Sequence, residues 1–166
     1  MSNVINEIQA EANRIEWNAI YSSKGHFNAA MLWNATHYSL GMSAVLCGAF
    51  AGKEFVEVNP TMATVLASSA AAISAIITFL KPSDKATPHH QSGVKIAAII
   101  SQARIFQNIT SVSVSDTKLL TQELKELSTQ YSQLNKNVPA IPFLAYQITR
   151  WGVRRGEHTY KEEDER

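Results

Sequence analysis

Two long stretches without acidic or basic residues dominate the hydropathy pattern of this chain. They run from residue 25 to 52 and from residue 58 to 80, and are 28 and 23 residues long. As helices, each would extend about 35–40 Å, enough to cross the ~30 Å hydrocarbon core of a bilayer. The polar segment KEFVEVNP joins them and is too short to hold a domain. The pattern predicts an antiparallel hairpin of two membrane-spanning helices over residues 29–80.

A hairpin buried inside a soluble helical protein is the alternative interpretation. Both runs are rich in alanine and serine rather than leucine, and the mean hydropathy of the whole chain is slightly negative, as in soluble proteins. The first run also contains four polar side chains: Asn34, Thr36, His37 and Ser39. We favour the membrane hairpin, because two uncharged runs of spanning length are uncommon in soluble proteins.

The flanking segments show helical periodicity. Apolar residues recur at alternating steps of three and four near each end of the chain, which predicts a heptad seam in residues 3–22 and another in residues 120–134. The seam positions are Ile5, Ile8, Ala12, Ile15 and Ala19, and then Leu120, Leu124, Leu127, Tyr131 and Leu134. The two seams could pack together within one chain or between chains. We therefore predict one all-α domain over residues 1–166: an N-terminal helix (1–28), the hairpin (29–80) and C-terminal cytoplasmic helices (81–166) that complete a helical bundle.

Several residue types predict where the C-terminal helices begin and end. Ser83 or Asp84 is a candidate cap for a helix with a broad apolar face, and the β-branched segment TSVSVSD should interrupt that helix. Asp116 can cap the next one. The apolar face comprises Val94, Ile96, Ile99, Ile100, Ala103, Phe106 and Ile109. A last short helix is expected over about residues 143–153.

Basic residues predict the orientation of the hairpin. Lys24 precedes the first run, and Lys81, Lys85 and Lys95 follow the second, whereas the connecting turn is nearly balanced in charge. Since cytoplasmic flanks carry the excess of lysine and arginine, both termini are expected in the cytoplasm. Aromatic and basic side chains typical of a headgroup interface, including Tyr21, His26 and Trp33, lead into the first run.

The chain lacks the motifs of common enzymes and metal sites. It contains no GxxxxGK[ST] or GxGxxG loop and no HExxH, and its single cysteine, Cys47, excludes an intrachain disulfide. His89 and His90 are adjacent, so on a helix they point about 100° apart and are poorly placed to share one metal ion. We expect them to be solvated or interfacial. The net charge of +1 provides no field that would recruit nucleic acid. The sequence thus predicts a protein that is not an enzyme and that uses no metal or cofactor.

Polar and small residues inside the two runs are the candidate functional site. In an antiparallel hairpin, Asn34 and His37 would lie level with Ser74 and Thr78, on stripes of small residues that let two helices approach closely. The stripes are His37, Gly41, Ala44, Gly48 and Ala51 on the first helix, and Thr64, Ala67, Ala71, Ser74, Ala75 and Thr78 on the second. Polar groups at membrane depth usually face a protein interior or a wet cavity. They would either line a pore between copies of the chain or only form hydrogen bonds across helices. One hairpin cannot enclose water, so a pore requires a homo-oligomer.

A second candidate lies near the C-terminus, where Arg150, Trp151, Arg154 and Arg155 combine cationic and aromatic side chains. Such a cluster could contact RNA phosphates and stack a base, or it could rest on the inner membrane surface. Ordinary solvated surface charge is the simpler explanation of the cluster, and we favour a last helix that caps the soluble bundle over one that rests on the membrane.

The order of these features resembles the SLATT family of two-helix membrane effectors from prokaryotic conflict systems. The resemblance extends from about Tyr21 to Arg150 and depends on short motifs. These are Tyr21 and Lys24, then Trp33, His37, Leu40 and Gly41, then FLKPSDKATPHH with Pro82, Lys85 and His89, then Ala103, Arg104 and Phe106, and finally VPAIPFLAYQITR. The spans are more alanine-rich and less hydrophobic than that comparison leads one to expect.

The resemblance implies a function in antiviral defence. It implies an effector that oligomerises, forms a pore or perturbs the inner membrane, and causes abortive infection when a sensor partner activates it. The partner would be a nucleotidyltransferase that makes a cyclic nucleotide, or a reverse transcriptase with a structured RNA. A soluble, inhibited complex before activation is also consistent with the modest hydrophobicity of the spans. The competing function is a non-conducting helical subunit of a complex between a reverse transcriptase and its RNA.

Overall fold

The computed structural model of the protein describes residues 2–114 and 116–156, apart from the side chains of residues 2–3 and 53–55. Its helices are α1 (Ser2–Phe50), α2 (Lys53–Val58), α3 (Pro60–Leu80), α4 (Pro82–Ile105), α5 (Ser111–Ser113), α6 (Thr117–Lys136) and α7 (Phe143–Arg154), and a π-helical turn (Phe106–Thr110) connects α4 to α5. The described part of the chain contains no strand. The prediction of an all-α protein is confirmed.

The first helix is continuous where the sequence predicted two elements. We expected a helix over residues 3–22 and a separate span from residue 29, but α1 extends over 49 residues and passes through Gly25 without a break. Glycine lowers helix stability by only about 1 kcal/mol, which packing can offset. At Gly25 the neighbouring atoms lie so close that a β-carbon would be 2.7 Å from Cδ1 of Ile141. Gly25 therefore allows Ile141 to approach α1 closely, and it does not end the helix.

The boundary between α3 and α4 differs from the predicted one. Asn59 caps the start of α3 by accepting a hydrogen bond from the Met62 amide at 3.1 Å, with Pro60 in the first position. Lys81 ends α3 in a left-handed conformation (φ 46°, ψ 59°). Helix α4 then begins at Pro82, because the fixed φ of proline suits a first helical position and its missing N–H has no partner there anyway. Ser83 and Asp84, our candidate caps, lie inside its first turn, so that prediction was wrong.

The segment TSVSVSD interrupts the helix later than predicted. The chain stays helical through the π-helical turn and α5, and leaves the helix at Val114, which has an extended backbone. Asp116 then caps α6, and its carboxylate accepts a hydrogen bond from the Lys118 amide at 2.9 Å. The predicted cap at Asp116 is confirmed, and α7 spans nearly the range predicted for the last helix.

The chain divides into two compact units. The first consists of the described parts of Met1–Ala29 and Pro88–Arg166, and the second is Ala30–Thr87. Both α1 and α4 pass from one unit into the other. The second unit therefore contains most of the predicted hairpin, and the first contains both predicted heptad seams.

The core of the first unit is built from α1, α4 and α6. Four residues of the N-terminal seam and three of the α6 seam are buried in one cluster with α4 and the π-helical turn. The cluster contains Ile8, Ala12, Ile15, Ala19, Ile96, Ile99, Ala103, Phe106, Leu120, Leu124 and Leu127, with Tyr131 and Leu134 packed against it. The seams thus share a core within one chain. Val94 and Ile109, which we placed on the buried face of α4, are instead exposed.

A polar contact also ties α1 to α4 in this unit. The Arg104 Nε donates to Glu16 Oε1 at 2.7 Å, and the Gln107 amide donates to the second carboxylate oxygen at 3.0 Å. Because the Glu16 side chain is 15% exposed, the ion pair is partly shielded from water. It fixes the two helices in register beside the apolar cluster.

Candidate functional site

Helix α3 is apolar, and most of its residues are exposed. Among the described residues, one helical segment, Pro60–Ser113, is long and apolar enough to cross a membrane, and only 6% of its most apolar window is buried. The charge-free run on α1 does not meet the same criterion of length and composition. Exposed large apolar side chains on α3 are Met62, Val65, Ile76 and Phe79. Water-soluble proteins rarely leave so continuous an apolar surface uncovered.

Helix α3 has three different sides. Its most protected side carries a heptad of apolar residues, of which Ala63 is buried and the others are half-buried: Ala63, Leu66, Ala70, Ile73, Ile77 and Leu80. A second side exposes small and polar residues: Thr64, Ala67, Ser68, Ala71, Ser74, Ala75 and Thr78. The third side exposes the large apolar residues. The stripe that we predicted to face α1 is therefore not the protected side of α3.

The predicted polar site is only partly assembled in one chain. Ser74 and Thr78 are exposed and donate to carbonyl oxygens one turn earlier in α3, at 2.8 and 2.9 Å. Asn34 and Gly48 are also exposed, whereas His37 and Gly41 are half-buried. His37 Nδ1 is buried and has no hydrogen-bond partner within the described part of the chain. A buried nitrogen without a hydrogen-bond partner costs free energy. Within this set, His37 is therefore the residue that a further hydrogen-bond partner would stabilise.

A cation–π contact connects the first and last parts of the second unit. The ammonium group of Lys85 lies 4.7 Å from the centroid of the Trp33 ring, a cation–π contact. Trp33 is in the first charge-free run, and Lys85 lies five residues beyond the second. Two residues singled out by the family resemblance are therefore in contact. The nearby Pro82, another of those residues, is buried.

The first unit contains a histidine pair that the sequence did not predict. His26 on α1 and His89 on α4 are 1% and 5% exposed, and their Nδ1 atoms lie 3.0 Å apart. One ring must donate and the other accept, so at least one nitrogen of this contact is unprotonated. Burial lowers the pKa of His26 to about 4, with a further contribution from the neighbouring His89, and burial also lowers the pKa of His89. His89 is buried, so our expectation that it is solvated was wrong. His26, which we grouped with residues typical of a headgroup interface, is buried within the protein.

The helices α1 and α4 approach closely around this pair. A β-carbon on Gly93 would lie 3.0 Å from the ring of Phe27, and the Ser23 hydroxyl donates to the Gly93 carbonyl at 3.0 Å. The ring of Phe27 meets His90 edge-on, with centroids 5.6 Å apart. We call Ser23, His26, Phe27, His89, His90 and Gly93 the histidine clasp. The signal for it in the sequence is one aromatic pair on each helix, His26–Phe27 and His89–His90.

The remaining predicted residues lie on the surface of the first unit. Arg150, Trp151, Arg154 and Arg155 are exposed on or directly after α7, and the Arg155 guanidinium stacks on the Trp151 ring at 3.4 Å. Tyr21 is also exposed, and Lys24 is half-buried. Across the described residues, no group of three or more metal-ligating side chains comes together. These surfaces can be buried in a contact, can form hydrogen bonds and can bind anions through their arginine side chains.

Comparisons with known proteins identify no relative of this chain. No protein-family model matches it, and neither curated proteins nor solved structures give a significant match.

Proposed function

We propose that the protein is a membrane effector whose second unit enters the inner membrane as a two-helix hairpin and, as a homo-oligomer, permeabilises it. The observation that carries this proposal is the exposure of α3: it is the most apolar helix of the chain, and only Ala63 among its residues is buried. Transfer of that surface from water to lipid is favourable by roughly 25 cal/mol for each Å² of apolar area. The described residues leave most of this surface uncovered.

The ends of the second unit support a hairpin with both termini on one side of the membrane. The Trp33–Lys85 contact joins the beginning of the first charge-free run to the segment just after the second. Tryptophan and lysine are both favoured at the headgroup interface. The excess of basic residues outside the hairpin favours the cytoplasmic side for that interface.

The exposed small and polar side of α3 supports assembly. Within a bilayer, association depends on close packing and hydrogen bonds rather than on hydrophobicity, and small residues allow that packing. Copies that packed through Ala71 and Ala75 would bring Ser74 and Thr78 to an interface between chains. In such an oligomer these hydroxyls, with Asn34, Gly48 and the incompletely paired His37, are the candidates to line a water-filled path.

The resemblance to the SLATT family suggests the biological setting. In that setting the chain is an effector of bacterial antiviral defence, and a sensor partner releases it on infection. A nucleotidyltransferase product or a reverse transcriptase with its RNA would be the signal. The solvent-exposed first unit, with its own core, is the part of the chain available to receive that partner.

Membrane extraction and vesicle leakage test the proposal together. We expect the wild-type chain to remain in membranes after carbonate washing and, once purified, to release dye from vesicles. The double variant Val65→Lys/Ile76→Lys places charges on the large apolar side of α3 and should abolish both properties, since a charge at the bilayer centre costs at least ~3 kcal/mol. A matched variant, Val112→Lys, changes an exposed apolar residue of the first unit and should retain both.

A soluble wild-type protein that copurifies with RNA and leaves vesicles intact would contradict the proposal. It would favour the competing function, a helical subunit of a ribonucleoprotein complex. Leakage by the Val65→Lys/Ile76→Lys variant at the wild-type rate would equally contradict insertion through α3.

A further inference from the structure

Helix α7 has one side that is fixed to the first unit. Its buried residues are all small or of medium size: Ala145, Thr149, Gly152 and Val153. The Asn28 side chain donates to the Thr149 hydroxyl at 2.8 Å, and this hydroxyl donates in turn to the Ala145 carbonyl at 2.8 Å. The small side chains let α7 lie close to α1, and the hydrogen bond fixes its rotation. The rest of its surface therefore faces outward by construction.

The outward surface of α7 combines apolar and cationic side chains. Phe143 and Leu144 are 72% and 67% exposed, and Tyr146, Ile148 and Trp151 are exposed as well. Arg150 and Arg154 lie on the helix and Arg155 directly follows it, whereas α7 contains no acidic residue. The Arg155 guanidinium covers one face of the Trp151 ring, so the charge and the aromatic surface are presented together. This composition is characteristic of helices that lie in the plane of a membrane interface.

The position of α7 on α1 matches that role. Asn28, its hydrogen-bond partner, lies inside the charge-free run that begins at Gly25 and five residues before Trp33. The residue that holds α7 therefore belongs to the same uncharged run of the sequence as the tryptophan assigned above to the headgroup level.

The exposed aliphatic side chains favour lipid over RNA as the occupant. Single-stranded RNA is bound by cations and by aromatic rings that stack on bases, and Leu144 and Ile148 offer neither. Acyl chains near the headgroups accept both aliphatic and aromatic groups, and anionic headgroups attract arginine. An anionic lipid surface thus accounts for both the apolar and the cationic side chains that α7 exposes.

We infer that α7 rests on the anionic headgroup surface of the inner leaflet, with Phe143, Leu144 and Trp151 in the interface and the arginines on lipid phosphates. This inference rests on the proposed membrane function. It adds a second, peripheral membrane contact to the hairpin and makes the activity dependent on anionic lipid.

Two variants with one tryptophan each separate the peripheral contact from insertion. Trp17→Phe/Trp33→Phe retains Trp151 as the only tryptophan, and Trp17→Phe/Trp151→Phe retains Trp33. Each full-length variant is reconstituted into vesicles of brominated phosphatidylcholine, with and without phosphatidylglycerol, and into detergent as a lipid-free reference. Lipid quenching and iodide access are then measured for each tryptophan.

We expect bromine to quench Trp33 in both kinds of vesicle. It should quench Trp151 mainly in vesicles that contain phosphatidylglycerol. In those vesicles, iodide should reach Trp151 less readily than it does in detergent. Adding Arg150→Gln/Arg154→Gln to the Trp151 variant should reduce its lipid quenching by at least about half, because each arginine near an anionic surface strengthens binding. Lys118→Gln/Lys125→Gln removes the same charge from exposed positions of α6 and should leave the quenching unchanged.

The results that would contradict the peripheral contact differ from those that would contradict the proposed function. Quenching of Trp33 without quenching of Trp151 would overturn the peripheral contact and leave the proposed function intact, whereas an absence of quenching at both positions would overturn both. If a single-stranded oligouridine changed Trp151 emission in detergent and phosphatidylglycerol did not affect it in vesicles, the occupant would be RNA, and the inference would be wrong.

Discussion

Gly93 allows a close approach between α1 and α4. The space that a β-carbon would need is already occupied by three ring carbons of Phe27, at 3.0, 3.0 and 3.1 Å. The same ring also packs against His90, one turn earlier on α4, with centroids 5.6 Å apart. At Gly25, by contrast, the closest atom is the terminal methyl of Ile141, which a change of rotamer can move.

We predict that Gly93→Ala destabilises the first unit. Alanine adds about 1 kcal/mol of helix propensity, but overpacking against the Phe27 ring costs roughly 1–3 kcal/mol. The net loss in the free energy of unfolding should therefore be about 1 kcal/mol. The measurement is the thermal unfolding midpoint in detergent micelles, which should fall by a few degrees.

The control is Gly41→Ala on the same helix as Phe27, where no atom lies within 4 Å of the added carbon. That variant should unfold at the wild-type temperature or slightly above it. A Gly93→Ala protein as stable as the control would show that Phe27 can move and that the contact imposes no close packing.

The histidine residues illustrate how far single residues could be predicted. The spacing of His89 and His90 predicted that two adjacent histidines on one helix are poorly placed to share a metal ion. The burial of His26 and His89 was not predicted, because a polar ring is usually exposed and because these two residues are 63 residues apart. Local patterns carry no information on which distant side chain will satisfy a buried nitrogen.

At the scale of helices, the histidine clasp makes the α1–α4 contact sensitive to acid. Both rings have a pKa below the ordinary value of 6.5, chiefly because burial penalises the charged form, and that of His26 is about 4. The unfolded chain therefore binds more protons than the folded one between about pH 6.5 and 4. Stability is fully present above pH 6.5 and is lost progressively as the pH falls to about 4. A shift of this size in His26 alone corresponds to a loss on the order of 3 kcal/mol.

We predict that the unfolding midpoint of the protein in micelles decreases between pH 7.5 and pH 5, and that His26→Asn reduces this decrease. Asparagine keeps a polar group near the position of Nδ1 but does not titrate, so it removes the linkage while preserving one hydrogen bond. The quantity compared is the difference between the two pH values within each variant. A general loss of stability therefore does not affect the comparison.

The exposed His90 provides the matched control. His90→Gln should show the full wild-type decrease, because it leaves both His26 and His89 in place. If His26→Asn also shows the full decrease, the acid sensitivity comes from other groups, and His26 has no part in it.

The helices themselves were largely predictable, but their junctions were not. The heptads of α1 and α6 identified buried residues correctly, since a buried stripe leaves a direct periodic signal. The π-helical turn at Phe106–Thr110 places Phe106 in the core cluster, and tertiary packing overrode the local propensity of TSVSVSD. In α3 every position is apolar or small, so the sequence could not tell the protected side from the exposed ones.

At the scale of the whole molecule, the proposed function assigns a different contact to each of the three sides of α3: one within the chain, one between chains and one with lipid. Neighbouring exposed residues belong to different sides: Ala75 lies on the small and polar side, and Ile76 on the large apolar side. A phenylalanine at position 76 would add one more bulky apolar group to the side proposed to face lipid, which should tolerate it. At position 75 it would hold two helices apart.

We therefore predict that Ala75→Phe blocks both assembly and permeabilisation, whereas Ile76→Phe retains both. The measurements are chemical crosslinking in proteoliposomes and dye release at equal protein-to-lipid ratio, with carbonate extraction to establish that both variants are inserted. We expect Ala75→Phe to remain in the membrane as a monomer, because its protected side, from Ala63 to Leu80, is unchanged. Full leakage by a monomeric Ala75→Phe protein would mean that single hairpins disturb the bilayer without a pore. Loss of leakage in Ile76→Phe alone would place the interface between copies on the large apolar side instead.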